Sequence, residues 1–202
     1  AMHSGSVNLL GNGVAFVGLA GVGKSTNSLA LTLKHNGLLV GDNYTLYDKN
    51  KLYQFPEWIR ISSETRNILG DSLNELGEKH FTRYGRGYHL LNDKYISLPV
   101  SPAIMFVQML GQENKINKIS TNVALDRILL SNAHVKEFHE HSLIGLIDFM
   151  YQFDISLYES MVGDLRHLIT DIPVYEMVIK KYGDISDVYN NIKYYTKRVG
   201  GI

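Results

Sequence analysis

Cysteine is absent from this chain. Disulfides, thiolate metal sites and cysteine nucleophiles are therefore excluded, and the absence fits a reducing compartment. Charge of either sign is not in excess: 20 basic residues balance 20 acidic ones. No basic surplus marks nucleic acid as an obligatory partner and there is no acidic tail, although a local basic pocket stays open. No apolar run approaches the roughly 18 residues that a membrane-spanning helix needs. Residues 1–10 also lack the basic start and long apolar stretch of a signal peptide. The expectation is a cytoplasmic protein that engages neither membrane nor nucleic acid. With only four prolines, no Pro/Gly/Ser linker, repeat or low-complexity block divides the chain. One domain over residues 1–202 is expected, whole or a piece of a longer protein, since Ala1 ahead of Met2 reads as a cloning remnant.

What is present is concentrated near the start. Gly18-Leu19-Ala20-Gly21-Val22-Gly23-Lys24-Ser25 fits G-x-x-x-x-G-K-[ST], the phosphate-binding loop of nucleoside triphosphatases and kinases. Glycines permit φ > 0 and let main-chain N–H groups approach phosphate oxygens. Lys24 places a positive charge near the β/γ-phosphates, and Ser25 offers a hydroxyl to Mg²⁺. The context agrees with the motif. Gly13-Val14-Ala15-Phe16-Val17 reads as a buried strand before it, and residues 26–34 are compatible with a helix after it. Gly37 stands where a helix C-terminal glycine belongs. The nucleotide-contacting set is then Gly18, Ala20, Gly21, Val22, Gly23, Lys24, Ser25 and Thr26.

The rest of the chain reads as mixed α/β with antiparallel hairpins rather than plain βαβ alternation. Gly11-Asn12-Gly13 suits a tight turn between strands 7–10 and 14–17. Leu38-Leu39-Val40 forms a short strand that ends in Gly41-Asp42-Asn43. Strands 44–47 and 52–55 make a second hairpin across Asp48–Lys51. Ser62 or Ser63 caps a helix that runs to Leu69 and closes at Gly70. Residues 71–89 follow no clear period. Strands are expected at 95–98, at 103–110 (central, because it is apolar throughout), at 115–119 and at 173–178. Helices are expected from Ser120 or Thr121 to about Leu130, from about His134 to Phe153 with a break near Gly145, over Ser156–Ile169, and from an Asp184 cap to about Lys197.

Asp42 follows a buried strand soon after the loop and its helix. A carboxylate there suits Mg²⁺ contact or acceptance of a hydroxyl proton, and also suits a plain turn aspartate. Lys79, Arg83 and Arg86 form a basic cluster among Gly77, Gly85 and Gly87. Such a loop can close over phosphates, or it can be a solvated surface. His139 and His141, two apart, point to different sides of a helix, so a solvated face is favoured over a metal site for them and for His134. Asp48 reads as a turn residue. Trp58 reads as a core or rim aromatic, and Tyr194-Tyr195 as packing.

Met2-His3-Ser4-Gly5-Ser6-Val7, Leu10-Gly11-Asn12-Gly13-Val14-Ala15-Phe16-Val17-Gly18, the glycine loop and Leu39-Val40-Gly41-Asp42-Asn43 together resemble the catalytic domain of HPr kinase/phosphorylase. That family is similar in turn to the phosphoenolpyruvate carboxykinases. The resemblance is good over residues 2–48. Beyond them the chain is closer to the smaller HPr-kinase-like proteins of bacterial biosynthetic and modification clusters. It implies a P-loop-containing mixed sheet in which Lys24 and the loop backbone hold ATP or GTP and Ser25 ligates Mg²⁺. It further implies Asp42 as base or metal partner, His3 near the γ-phosphate, and, by the analogy of HPr kinases, a homo-oligomer. Asn43 stands where the family has its second aspartate, which gives no support to phosphorylase-type reversal. Of the signature loop only Gly85-Arg86-Gly87 is echoed, so HPr is not assigned as substrate.

Two functions follow as expectations. One is a Mg²⁺-dependent kinase that moves the γ-phosphate of ATP or GTP to the hydroxyl of a protein or peptide serine or of a small-molecule alcohol, with Asp42, His3, Lys24 and Arg86 as catalytic residues and Ser25 and Asp42 at the metal. The alternative is a nucleotide-dependent switch or slow NTPase acting through a partner. A carboxykinase-like enzyme needs further metal ligands and a carboxylate-binding arginine pocket that the sequence does not place.

Overall fold

A computed structural model describes residues 1–55, 58–76, 79–81, 87–89, 92–136, 154–180 and 186–200. Its centre is a six-stranded mixed sheet. β1 (Ser4–Leu9) and β2 (Asn12–Val17) form an antiparallel hairpin, and β3 (Leu38–Gly41) pairs antiparallel with the other side of β1. Two short strands, β4 (Thr45–Tyr47) and β5 (Leu52–Gln54), form the expected second hairpin. β6 (Ile59–Arg60), β7 (Lys79–Phe81) and β8 (Gly87–His89) form a small sheet of order β6-β8-β7. β9 (Pro102–Gly111) lies parallel to β2, and β11 (Val174–Lys180) lies parallel to β9, with β10 (Lys115–Lys118) antiparallel at the edge. The main sheet therefore runs β10-β11-β9-β2-β1-β3. The chain is mixed α/β, with parallel strands at the centre and antiparallel strands on both flanks.

Side-chain alternation along the central strands divides the core. Val14 and Phe16 of β2 and Ile104 and Phe106 of β9 bury against one face, with Leu29 and Leu31 of helix α1 (Lys24–Lys34), Leu69 of α2 (Ser63–Leu69) and Ile192 of α5 (Ser186–Gly200). Ala15, Val17, Met105 and Val107 bury on the opposite face, with Ala124, Leu125 and Ile128 of α3 (Thr121–Lys136) and Leu165 and Leu168 of α4 (Ile155–Thr170). This is why β2 and β9 read as unbroken apolar runs: both faces are covered. Aromatic rings continue across the first face. Phe16 stacks on Phe106 at 5.7 Å between centroids, Phe106 on Tyr175 at 5.9 Å, and Tyr175 meets Tyr195 of α5 at 4.6 Å. Arg127 of α3 pairs with Glu176 of β11. No helix among the described residues is long and apolar enough to cross a membrane.

Several local expectations shift. The β1–β2 turn is Leu10-Gly11, one residue earlier than the Gly11-Asn12-Gly13 signal, because Leu9 pairs with Asn12 and Asn8 with Gly13. Gly13 serves the strand: a Cβ there would lie 2.7 Å from the Ser101 carbonyl oxygen, which its N–H bonds at 2.9 Å. The left-handed residue after α1 is Asn36 (φ 57), not Gly37. Gly37 is instead where the chain presses against Val7 while its N–H bonds the Leu31 carbonyl. Residues 95–98 make no strand. Asp93–Tyr95 is a single 3-10 turn started by Asn92, whose side chain accepts the Lys94 N–H, and only Ile96 bridges to Leu39. α3 continues past Leu130 to Lys136, and α4 is capped by Asp154, which accepts the Ser156 and Leu157 N–H groups. α2 has its expected Ser62 cap and Gly70 end, and the irregular stretch after it opens with a 3-10 helix over Gly70–Glu75. Asp48 is a turn residue, as expected: it accepts the Asn50 and Lys51 N–H groups and the Tyr53 hydroxyl, which holds its carboxyl below the usual carboxylate range. His139, His141, Gly145 and Asp184 lie outside the described residues.

The hairpin yields a test. Leu10 and Gly11 both have positive φ (55° and 87°), the pattern of a type I′ turn that favours Asn-Gly. A leucine in that conformation costs about 1–2 kcal/mol, and Leu10 is 67% exposed, so it recovers little by burial. Leu10→Asn is expected to stabilise the chain by about 1 kcal/mol, raising the calorimetric unfolding midpoint by about 2–4 °C. A lower midpoint would contradict the turn assignment.

Candidate functional site

The carboxyl ends of β2, β9 and β11 share one edge of the sheet, because these strands are parallel. β3 ends there too, since it and β2 both run antiparallel to β1. In sheets of this kind such an edge is where ligands bind. The residues that the sequence singles out gather on it. The glycine loop leaves β2 at Val17 and enters α1 at Lys24, Asp42 follows β3 directly, and His3 precedes β1, whose first residue Ser4 pairs with Val17.

Gly18 sets the course of the loop. Its φ is 151°, and a Cβ on it would lie 2.5 Å from the Gln108 carbonyl oxygen of β9 and 3.1 Å from the Val22 side chain. Only glycine fits there. Gly21 (φ 79°) and Gly23 (φ 95°) supply the later bends. Gly23 occupies the N-cap position of α1, with no side chain capping the helix and no acidic residue in its first turn. The first N–H groups of α1 are thus left to bind something else, at the positive end of the helix dipole. Leu19, Ala20 and Gly21 are exposed, whereas Val22 and Lys24 are buried.

Lys24 folds back under the loop. Its Nζ donates to the Gly18 and Leu19 carbonyl oxygens, at 2.8 Å each. Burial lowers its pKa to about 8, and the charge of Asp42 partly opposes that shift. Asp42 is 7% exposed. Next to it, Asn43 takes a left-handed conformation (φ 67°) and its carbonyl accepts the Ser4 N–H. The following residues cross the start of β1: Met2 and Thr45 exchange both main-chain hydrogen bonds, and the Thr45 hydroxyl joins those of Ser4 and Ser6.

His3 is held from a distant helix. Its N–H donates to Asn132 Oδ1 at 2.8 Å, and its ring lies 6.0 Å from that of Tyr44. Ser131 Oγ donates to the Gly18 carbonyl at 2.7 Å and lies 3.4 Å from His3 Nδ1. The single Ser131 hydroxyl proton is used on Gly18, so in any bond with the imidazole Nδ1 that oxygen is the acceptor. Gly18 O is therefore a junction that receives Lys24 and Ser131 together.

Other sequence-singled residues fall elsewhere. The Thr26 hydroxyl bonds Thr65 of α2 at 2.7 Å, so only its backbone is left for a ligand on the loop. Ser25 is half-buried, and its carbonyl accepts the Ser28 hydroxyl. Arg83 and Arg86 lie outside the described residues, and Lys79 is placed by its backbone alone in β7. Among the described residues no group of three or more His, Asp or Glu side chains forms a metal cage. Sequence reasoning missed Ser131 and Asn132, which fall in the expected link between two helices and which α3 in fact includes. It also missed Gln108, whose signal was present: one amide in the apolar run 104–110.

No protein-family model matches the chain, and no curated protein matches it significantly.

The buried lysine gives a pH signature. With a folded pKa of about 8 against 10.5, the unfolded chain binds more protons between those values, so stability rises with pH there. The destabilising contribution of charged Lys24 is complete below about pH 8 and fades toward 10.5. Relative to Lys24→Met, the wild type is expected to gain on the order of 3 kcal/mol across that window in chemical denaturation. A difference independent of pH would show that the ammonium is not desolvated.

Proposed function

We propose that this chain is a Mg²⁺-dependent phosphotransferase of the HPr-kinase-like group that uses ATP or GTP. The observation that carries this reading is the arrangement at one sheet edge: an uncapped helix N-terminus behind a glycine loop, a buried lysine under that loop, and a buried carboxylate coupled to the lysine. Uncapped N–H groups and a positive dipole end suit phosphate oxygens. The Lys24 ammonium has only to leave two main-chain carbonyls to reach the β/γ-phosphates.

The oxygen donors at this edge, the Ser25 hydroxyl and the Asp42 carboxylate, fit a magnesium ion, which takes few protein ligands and keeps waters and phosphate oxygens. When bound, such an ion supplies neutralisation of charge on the β- and γ-oxygens. The chain's own residues do the remainder. The loop amides and Lys24 fix the triphosphate and take up negative charge as it spreads onto the transferring group. Asp42 orients the acceptor hydroxyl and accepts its proton. His3, beside Ser131, stands at the same edge as a positioning group. Arg86 is proposed from the sequence alone as a cation arriving over the phosphates. The acceptor is a serine hydroxyl of a protein or peptide, or an alcohol of a small molecule.

A second reading is a nucleotide-operated switch. It is favoured by Asn43, which leaves Asp42 as the single carboxylate of this pair of positions.

Asp42→Asn separates the two. For a kinase, labelled phosphate transfer from γ-labelled ATP or GTP to an acceptor pool is expected to fall by about 10²–10⁴-fold while nucleotide affinity is largely kept. For a switch, little changes beyond magnesium affinity. Lys24→Ala is expected to abolish calorimetric binding of Mg²⁺–ATP and Mg²⁺–GTP. A wild type with no affinity for either at millimolar concentration ends both readings.

A further inference from the structure

Gln108 poses a question that the reaction scheme leaves unanswered. It is 3% exposed, and neither its side-chain nitrogen nor its side-chain oxygen has a hydrogen-bond partner. Buried amides are seldom left this way, because each unmet donor or acceptor has given up its water. Its position is informative. Alternation along β9 puts Gln108 on the face of Ile104 and Phe106, the face that α5 packs against, and its cross-strand neighbour Met177 belongs to the same cluster. It is also the last buried residue of the strand, since Met109 and Leu110 beyond it are 39% and 45% exposed. It therefore stands at the rim of the carboxyl edge, not in mid-core. Its own carbonyl is the atom pressed against Gly18, over which Val22 folds back and whose carbonyl holds the Lys24 ammonium. A residue whose side-chain amide has nothing to bond thus adjoins, through its backbone carbonyl, the junction around which the loop and its lysine turn.

We infer that Gln108 is a ligand-binding residue whose amide N–H completes the site for the terminal phosphate of a nucleoside triphosphate. This rests on the phosphate-loop reading above. Lys24 serves the β/γ end of the nucleotide in such loops, and Gln108 flanks the same glycine as Lys24. The amide is therefore assigned to the γ end rather than to the base or the ribose. A donor placed there distinguishes triphosphate from diphosphate, the distinction that a phosphotransferase must make between substrate and product. The arrangement also accounts for tolerance of an unmet amide in the free protein: its partner arrives with the nucleotide.

The test is calorimetric titration of wild type and Gln108→Met with the Mg²⁺ complexes of ATP, ADP, GTP and GDP, beside the unfolding midpoints of the ligand-free proteins. Methionine keeps the length and removes both polar atoms. Affinity of Gln108→Met for the preferred triphosphate is expected to fall about tenfold, with the diphosphate changed less than twofold. The ligand-free midpoint is expected to hold or rise, because an unmet amide has been removed. Gln108→Glu, which faces the phosphate with a negative charge, is expected to lose at least as much triphosphate affinity. Equal losses for di- and triphosphate, or a falling midpoint together with both affinities, would show that the amide supports the fold and would overturn the assignment. Unchanged triphosphate affinity in Gln108→Met would overturn it while leaving the phosphate-loop reading intact. A wild type that binds none of the four nucleotides would overturn both.

Discussion

The close approach of β9 to Gly18 is the constraint on which the site depends. Parallel pairing with β2 brings the Gln108 carbonyl to where a side chain on residue 18 would begin, 2.5 Å from an ideal Cβ. With only hydrogen at that point, the chain can leave the strand at φ 151° and present its carbonyl to two donors, Lys24 Nζ and Ser131 Oγ. One carbonyl oxygen thereby gathers the lysine of α1, the serine of α3 and, through that serine, His3. A methyl group at residue 18 would displace the strand or the loop, and either movement separates these groups.

The packing that holds this point is two-sided. β2 and β9 send alternate side chains to opposite faces, so α1 and α5 cover Phe16 and Phe106 while α3 and α4 cover Val17 and Val107. The glycine loop leaves between the two layers. α1 carries Lys24 and, at its uncapped start, the helix dipole. α3 carries Ser131 and Asn132. The antiparallel β1 then places His3 on the edge where β2 ends, and β3, reversing once more, delivers Asp42 to the same edge.

Much of this was legible in the sequence, and the reasons differ by residue. The strand–loop–helix order around residues 13–34 was readable because glycine spacing, an apolar run and a helix-compatible stretch each carry local physical meaning. Placement of Asp42 was readable because a short apolar strand followed by Gly-Asp-Asn has few interpretations. The β1–β2 turn was misplaced by one residue because Gly11 and Gly13 offer equal turn signals. Only the approach of Ser101, distant in sequence, assigns Gly13 to the strand. Gly37 misled in the same way: it meets a packing need against Val7, while Asn36 takes the left-handed conformation. Residues 95–98 have strand-like composition but lie past the sheet edge at β3, where a single bridge to Leu39 is all that pairing allows. Ser131 and Asn132 were invisible because nothing local distinguishes them. Their meaning is the contact with residues 3 and 18, more than a hundred positions away.

The sheet order divides the site by origin. β1, β2, α1 and β3 occupy residues 4–41 and close on one another through short connections, so Lys24 and Asp42 come together at little entropic cost and early along any route that favours nearby contacts. Ser131 joins Gly18 only after a closure of 113 residues. The candidate site thus has one half built from near neighbours in sequence and another supplied by distant β9 and α3. A ligand touching both halves would act as a clasp across that seam.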